Sequence, residues 1–97
     1  MSDKSYTDEI ASKIRLLIDP SKLPADGLDE LFDSYALLAL SKGSDVTNED
    51  VHDAWSIWAS KFDSNNPSIK PYDELDTETK SEDTIFTDAI RKVSKSL

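Results

Sequence analysis

Thr47-Asn48-Glu49-Asp50-Val51-His52-Asp53-Ala54-Trp55-Ser56-Ile57-Trp58-Ala59-Ser60-Lys61-Phe62 sets the fold class of this 97-residue chain. The Thr47 hydroxyl can accept the Asp50 amide while the Asp50 carboxylate returns the bond, a reciprocal helix start, with Val46 and Val51 placed to close over it. From there Val51, Ala54, Trp55, Trp58, Ala59 and Phe62 recur at helical spacing and make one apolar stripe. No segment of the chain alternates with period two for long enough to read as a strand. The expectation is an all-α protein.

Upstream, Leu28, Leu31, Phe32, Tyr35, Leu38 and Ala39 form a second stripe, with Asp26 as its expected cap. Leu37 and Leu40 fall off that stripe, which predicts a central helix covered on more than one side. Gly43 stands where a left-handed residue is wanted at the helix end. A first helix is predicted with Thr7 as cap, Asp8 and Glu9 at its positive end, and Ile10, Ile14, Leu17 and Ile18 inward; Asp19-Pro20 stops it. Residues 1–6 read as a flexible N-terminus, and Ser21 to Gly27 as a loop anchored by Leu23.

Downstream, Asp63-Ser64-Asn65-Asn66-Pro67 is a run of turn formers. Pro67 and Pro71 then stiffen a loop in which Ile69, Tyr72 and Leu75 are spaced to dip inward, with Pro71-Tyr72 against the Trp55 and Trp58 side of the third helix. The last helix carries Ile85, Phe86, Ala89, Ile90, Val93 and Leu97. A start near Thr77 places Glu78 and Glu82 at the centre of that apolar face, where an unpartnered carboxylate is costly. Either the helix starts near Asp83, or Glu82 looks into something polar. The chain is thus expected to be one domain over residues 1–97, a small bundle of about four helices with a Pro-rich structured loop before the last. Its expected core is Ile14, Leu17, Leu31, Phe32, Tyr35, Leu38, Val51, Trp55, Trp58, Phe62, Leu75, Phe86, Ile90 and Val93.

With 20 acidic against 11 basic residues and a formal charge of -9, the chain repels phosphate backbones, so direct nucleic-acid binding is not expected. Acidic helix surfaces that maintain solubility account for this charge, and mimicry of nucleic acid is the rarer explanation. The chain has no cysteine and one histidine, which excludes disulfides, thiolate metal sites and a thiol nucleophile. Together with an N-terminus lacking signal-peptide character, this fits a cytoplasmic protein. The apolar run Tyr35 to Leu40 is far short of a membrane span.

No cofactor, metal or catalytic residue is expected. Asp63, Asn65 and Glu74 match three places of a calcium loop, but Pro67 and Ser68 occupy the positions of a further ligand and the required glycine. Ser56, His52 and Asp53 or Asp50 could be written as a hydrolytic triad, yet residues on one helix arc rarely meet its geometry. His52 and Trp55, three apart, are neighbours on one helix surface. They suit either contact with a planar ligand at a pocket mouth or attachment of the helix to the Pro-rich loop.

The loop and its flanks resemble the repeat module of ryanodine receptors. The matching features are His52-x-x-Trp55, then Asn66-Pro67-Ser68-Ile69-Lys70-Pro71-Tyr72-Asp73-Glu74-Leu75, then Lys80-Ser81-Glu82-Asp83, within about residues 46–93. The segment Asp50-Val51-His52-Asp53-Ala54-Trp55 is also similar to one in small actinobacterial and phage proteins. The resemblance implies a helical, non-catalytic module in a bacterial or phage setting, with Trp55 as a stacking surface for a nucleotide-type small molecule and His52 and Tyr72 beside it. Lys70, Lys80, Arg91 and Lys92 are the cations available to meet the phosphates of such a guest, and their convergence is left open by the sequence. In the receptors paired copies host the nucleotide, so with a single copy a composite pocket would require a homodimer.

Two readings therefore stand: a module that captures a nucleotide-derived small molecule, and a protein-interaction module acting through its acidic helices or aromatic corner.

Overall fold

The computed structural model describes residues 5–24 and 26–97. Four helices form an all-α bundle: α1 (Tyr6–Leu16), α2 (Leu28–Ser41), α3 (Asn48–Ala59) and α4 (Thr77–Ser94). Short 3-10 turns lie at Pro20–Lys22, Gly43–Asp45 and Tyr72–Glu74. No strand occurs among the described residues, and none of their helices is long and apolar enough to cross a membrane.

The start of α3 forms as read. The Asp50 amide donates to Thr47 Oγ1 at 3.2 Å and the Thr47 amide donates to Asp50 Oδ2 at 3.0 Å. Val46 and Val51 flank this cap and are wholly buried. Arg91 of α4 donates from Nε to the Val46 carbonyl at 2.8 Å, strapping the last helix to the start of the third.

α1 begins earlier than expected. Ser5, not Thr7, is the cap: its hydroxyl accepts the Asp8 amide at 3.3 Å, and Asp8 Oδ2 accepts the Ser5 amide at 3.2 Å. Of the residues expected to be flexible, 1–6, Ser5 and Tyr6 belong to the start of α1 and residues 1–4 lie outside the described residues. Because the helix ends at Leu16, Leu17 turns out to solvent at 43 % exposure while Ile18 folds back into the core.

α2 packs on all three other helices, as a central helix should. Its neighbours nevertheless cover one flank only: Leu37 is 63 % and Leu40 45 % exposed, against the expectation of cover on a second side. Asp26 does not cap it. The cap position is Gly27, at φ +72°, whose carbonyl accepts the Trp58 Nε1 hydrogen at 2.9 Å. This bond ties the segment before α2 to α3. Phe62 lies past the end of α3 and is 59 % exposed, its ring leaning on Trp58 rather than entering the core.

α4 starts at Thr77, with the Asp76 carboxylate accepting the Thr79 amide at 2.7 Å. Glu78 and Glu82 avoid the expected penalty because the buried face is rotated by about one position. Both are exposed, Ile85 is 39 % exposed, and Thr87 is 1 % exposed. Thr87 can be buried because its hydroxyl donates back to the Asp83 carbonyl at 3.0 Å. Leu97, beyond the helix, is exposed. Phe32, Tyr35 and Phe86 pack as an aromatic cluster, with the Phe32 and Tyr35 rings edge to face at 5.3 Å and Tyr35 and Phe86 at 5.6 Å.

Candidate functional site

A cleft of about 390 Å³ opens above this aromatic cluster. One wall is the Ser21–Pro24 segment, the second is Trp55 on α3, and the third is the first half of α4 with Glu82 and Asp83; Tyr35 and Phe86 form the floor. The volume is within the range of small-molecule sites.

Trp55 keeps one face half-buried, and the His52 ring lies against it at 5.7 Å and 23° between planes. His52 itself is 2 % exposed. Its Nε2 is 2.7 Å from the Lys70 carbonyl, a group that can only accept, so Nε2 carries the hydrogen. The bond fixes the imidazole, and through it the indole, while joining α3 to the Pro-rich loop. Both roles read for the His52–Trp55 pair are therefore compatible: the histidine is the tie, and the tryptophan faces the cleft.

The other ring nitrogen, Nδ1, lies 3.8 Å from Asp83 Oδ2. Oδ2 is buried and has no hydrogen-bond partner. Burial accordingly pushes the Asp83 carboxyl up to about 6, with His52 opposing the rise and Glu82 adding to it. From α2, Tyr35 faces the same charge: burial first, and then Asp83, hold its phenol well above the usual range.

Ser56 Oγ also lies 3.3 Å from His52 Nε2, so serine, histidine and aspartate are connected in the order of a hydrolytic triad, with Asp83 in the place where Asp53 or Asp50 was considered. The connection does not make Ser56 a nucleophile. Nε2 already spends its hydrogen on the Lys70 carbonyl and has no lone pair to take the serine proton. Ser56 is also not among the residues that wall the cleft.

The remaining expected site residues are dispersed. Tyr72 stands behind His52, ring centroids 6.1 Å apart, and its hydroxyl accepts from Asn48 Nδ2 at 3.4 Å; it meets the N-terminal half of α3, not the Trp58 side. Lys80 caps the Tyr72 ring with its ammonium 5.2 Å from the centroid. Lys70 contributes its carbonyl, and Arg91 is engaged with Val46. None of these four walls the cleft, whose cation is Lys22. Lys70, Lys80 and Arg91 thus each have a different neighbour, and none of them lines the cleft.

Sequence reasoning missed Asp83, Lys22 and the role of Tyr35 as cleft floor. One signal for Asp83 was available: it precedes Phe86, Thr87 and Ile90 by three, four and seven positions, which is the spacing of a buried stripe.

A family model described as a domain of unknown function, DUF7701, matches residues 5–95. No curated protein and no solved structure matches the chain.

Proposed function

We propose that this chain, which belongs to the DUF7701 family, is a non-catalytic binding module that holds the flat ring of a small molecule, such as a nucleobase derivative, against Trp55. The observation that carries this reading is a partly buried indole in the wall of a 390 Å³ cleft, stacked on a histidine that also lines the cleft and is itself hydrogen-bonded to a loop carbonyl. Fixing an aromatic wall before the ligand arrives removes part of the ordering cost of binding. The resemblance to the ryanodine-receptor repeat module supports the same reading.

The test is titration with adenosine and guanosine, followed by tryptophan emission and melting temperature. Saturable quenching and a raised melting temperature are expected in the native chain; because either substitution removes the reporting indole, the variants are followed by melting temperature, whose rise is preserved in Trp55→Phe and lost in Trp55→Ala. Circular dichroism must accompany the alanine variant, because truncating a buried aromatic can cost ~3 to 5 kcal/mol of stability. If neither nucleoside moves emission or melting, the ring reading fails.

One observation favours a second reading, a protein-interaction module. Leu37 and Leu40 lie three residues apart on an uncovered flank of α2 in a strongly acidic molecule. On this reading sedimentation or light scattering shows self-association, or a partner is retained on the immobilised chain, and Leu37→Lys abolishes either. A strictly monomeric chain whose captured partners are indifferent to Leu37→Lys rules out this flank.

A further inference from the structure

The geometry points to a planar cation, or a ring whose edge presents several N–H donors, as the class of ligand this cleft selects, with the ring on Trp55 and the donor edge on the Asp83 carboxylate. The inference rests on the ring-binding reading above and adds the charge of the guest.

Two carboxylates, Glu82 and Asp83, face one ammonium, that of Lys22 on an exposed turn. Among the described residues no lysine or arginine reaches ion-pair distance of Asp83; His52, at 3.8 Å, is the one basic side chain that does. The Asp83 side chain is 15 % exposed, and its Oδ2 is sealed against His52, so the accessible part of the carboxylate belongs to the cleft side. A desolvated carboxylate lacking a cation is an incomplete ion pair, and an incoming N–H donor that carries positive charge completes it at a site where water screens it poorly.

The cations that could have reversed this field are placed elsewhere. Lys80 lies over Tyr72 and Arg91 is bonded to the Val46 carbonyl. The local charge therefore has the same sign as the net charge of -9. A phosphate pressed into this cleft would meet two carboxylates, so a nucleotide bound here would have to direct its phosphates out to solvent. An amidinium or aminopyrimidine edge meets acceptors. The aromatic wall adds to this preference, since the face of an indole attracts positive charge.

Three probes of one shape and different charge separate the possibilities: benzamidine, benzamide and benzoate, titrated at pH 7.5 against tryptophan emission and the indole resonances. Benzamidine is expected to bind about tenfold or more tightly than benzamide, and benzoate least. Asp83→Asn, with its fold confirmed, is expected to bring benzamidine to the level of benzamide, while Trp55→Ala, followed by melting temperature because the reporting indole is gone, weakens all three. If benzoate binds best, or the three bind alike, the charge inference is overturned and the ring reading survives. If an Asp83→Asn variant of native spectrum keeps the full preference for benzamidine, the carboxylate is not its source and the inference is likewise overturned. If none of the three, and neither nucleoside, perturbs the indoles, the ring reading falls and takes the inference with it.

Discussion

Gly27→Ala is expected to lower the melting temperature by more than about 10 °C, a loss on the order of 3 kcal/mol in a domain of this size. Two causes add. The backbone sits at φ +72°, a left-handed conformation that disfavours any residue with a Cβ by roughly 1 to 2 kcal/mol. A Cβ there would also stand 2.8 Å from Phe62 Cζ and 2.9 Å from Trp58 Nε1. Phe62 is exposed and can swing away, but Trp58 cannot move without losing its 2.9 Å bond to the Gly27 carbonyl. Gly43→Ala supplies the control, for that glycine has φ +60° and nothing within 4 Å of the added atom, leaving backbone strain alone. Thermal melts in which the two variants lose the same amount would refute the crowding argument. The variant should also loosen the Ser21–Pro24 wall of the cleft, because the Trp58 bond is what ties the adjoining segment to α3.

Asp83→Asn is expected to do the opposite, raising stability at pH 8 by about 1 to 2 kcal/mol and the melting temperature by roughly 4 to 10 °C. The native carboxyl is raised from 3.8 to about 6. Below 3.8 both folded and unfolded chains hold the proton, and the buried site imposes no charge penalty. As pH rises from 3.8 to about 6 the unfolded chain releases its proton first, so stability falls; above 6 the full penalty remains. The full shift would correspond to ~3 kcal/mol, and solvent at the cleft mouth reduces it. Asparagine removes the charge and can place an N–H donor toward His52 Nδ1, reproducing the protonated acid. The gain should therefore vanish near pH 4. Asp53→Asn, at an exposed position on α3, makes the same change in net charge and should do little. A gain of equal size at pH 4 and pH 8, or one shared by Asp53→Asn, would sink the account.

These two sites also show where the sequence could be read and where it could not. The Thr47–Asp50 box, the inward Leu75 and the left-handed Gly43 were legible because each depends on a few consecutive residues. Leu17 and Phe62 were misread because their helices end before them, and Leu37 and Leu40 because the pattern of a helix does not say how far its neighbours extend to cover it. At α4 apolar identity misled. Ile85 drew the stripe one position toward itself, while Thr87, polar in sequence, is buried because its hydroxyl is satisfied within its own helix. That small rotation brings Asp83 to the cleft and leaves Glu82 at its rim. The spacing of His52 and Trp55 showed that the two rings are neighbours, and left open whether they face a pocket or tie the loop. The placement of Lys70, Lys80 and Arg91 was not legible, since cations near one another in sequence or motif acquire a common target only through tertiary packing.

The cleft is bounded by pieces of chain distant in sequence: the turn after Pro20, the third helix, the bend at Ser68 and the opening turns of the last helix. A guest seated there bridges all of them, so part of its affinity returns as resistance of the whole molecule to unravelling, about 2.7 kcal/mol at a hundredfold excess over its dissociation constant. Heat alone can then sort a library of compounds, with the true occupant announcing itself by the delay it imposes on melting, before anyone knows what its capture accomplishes.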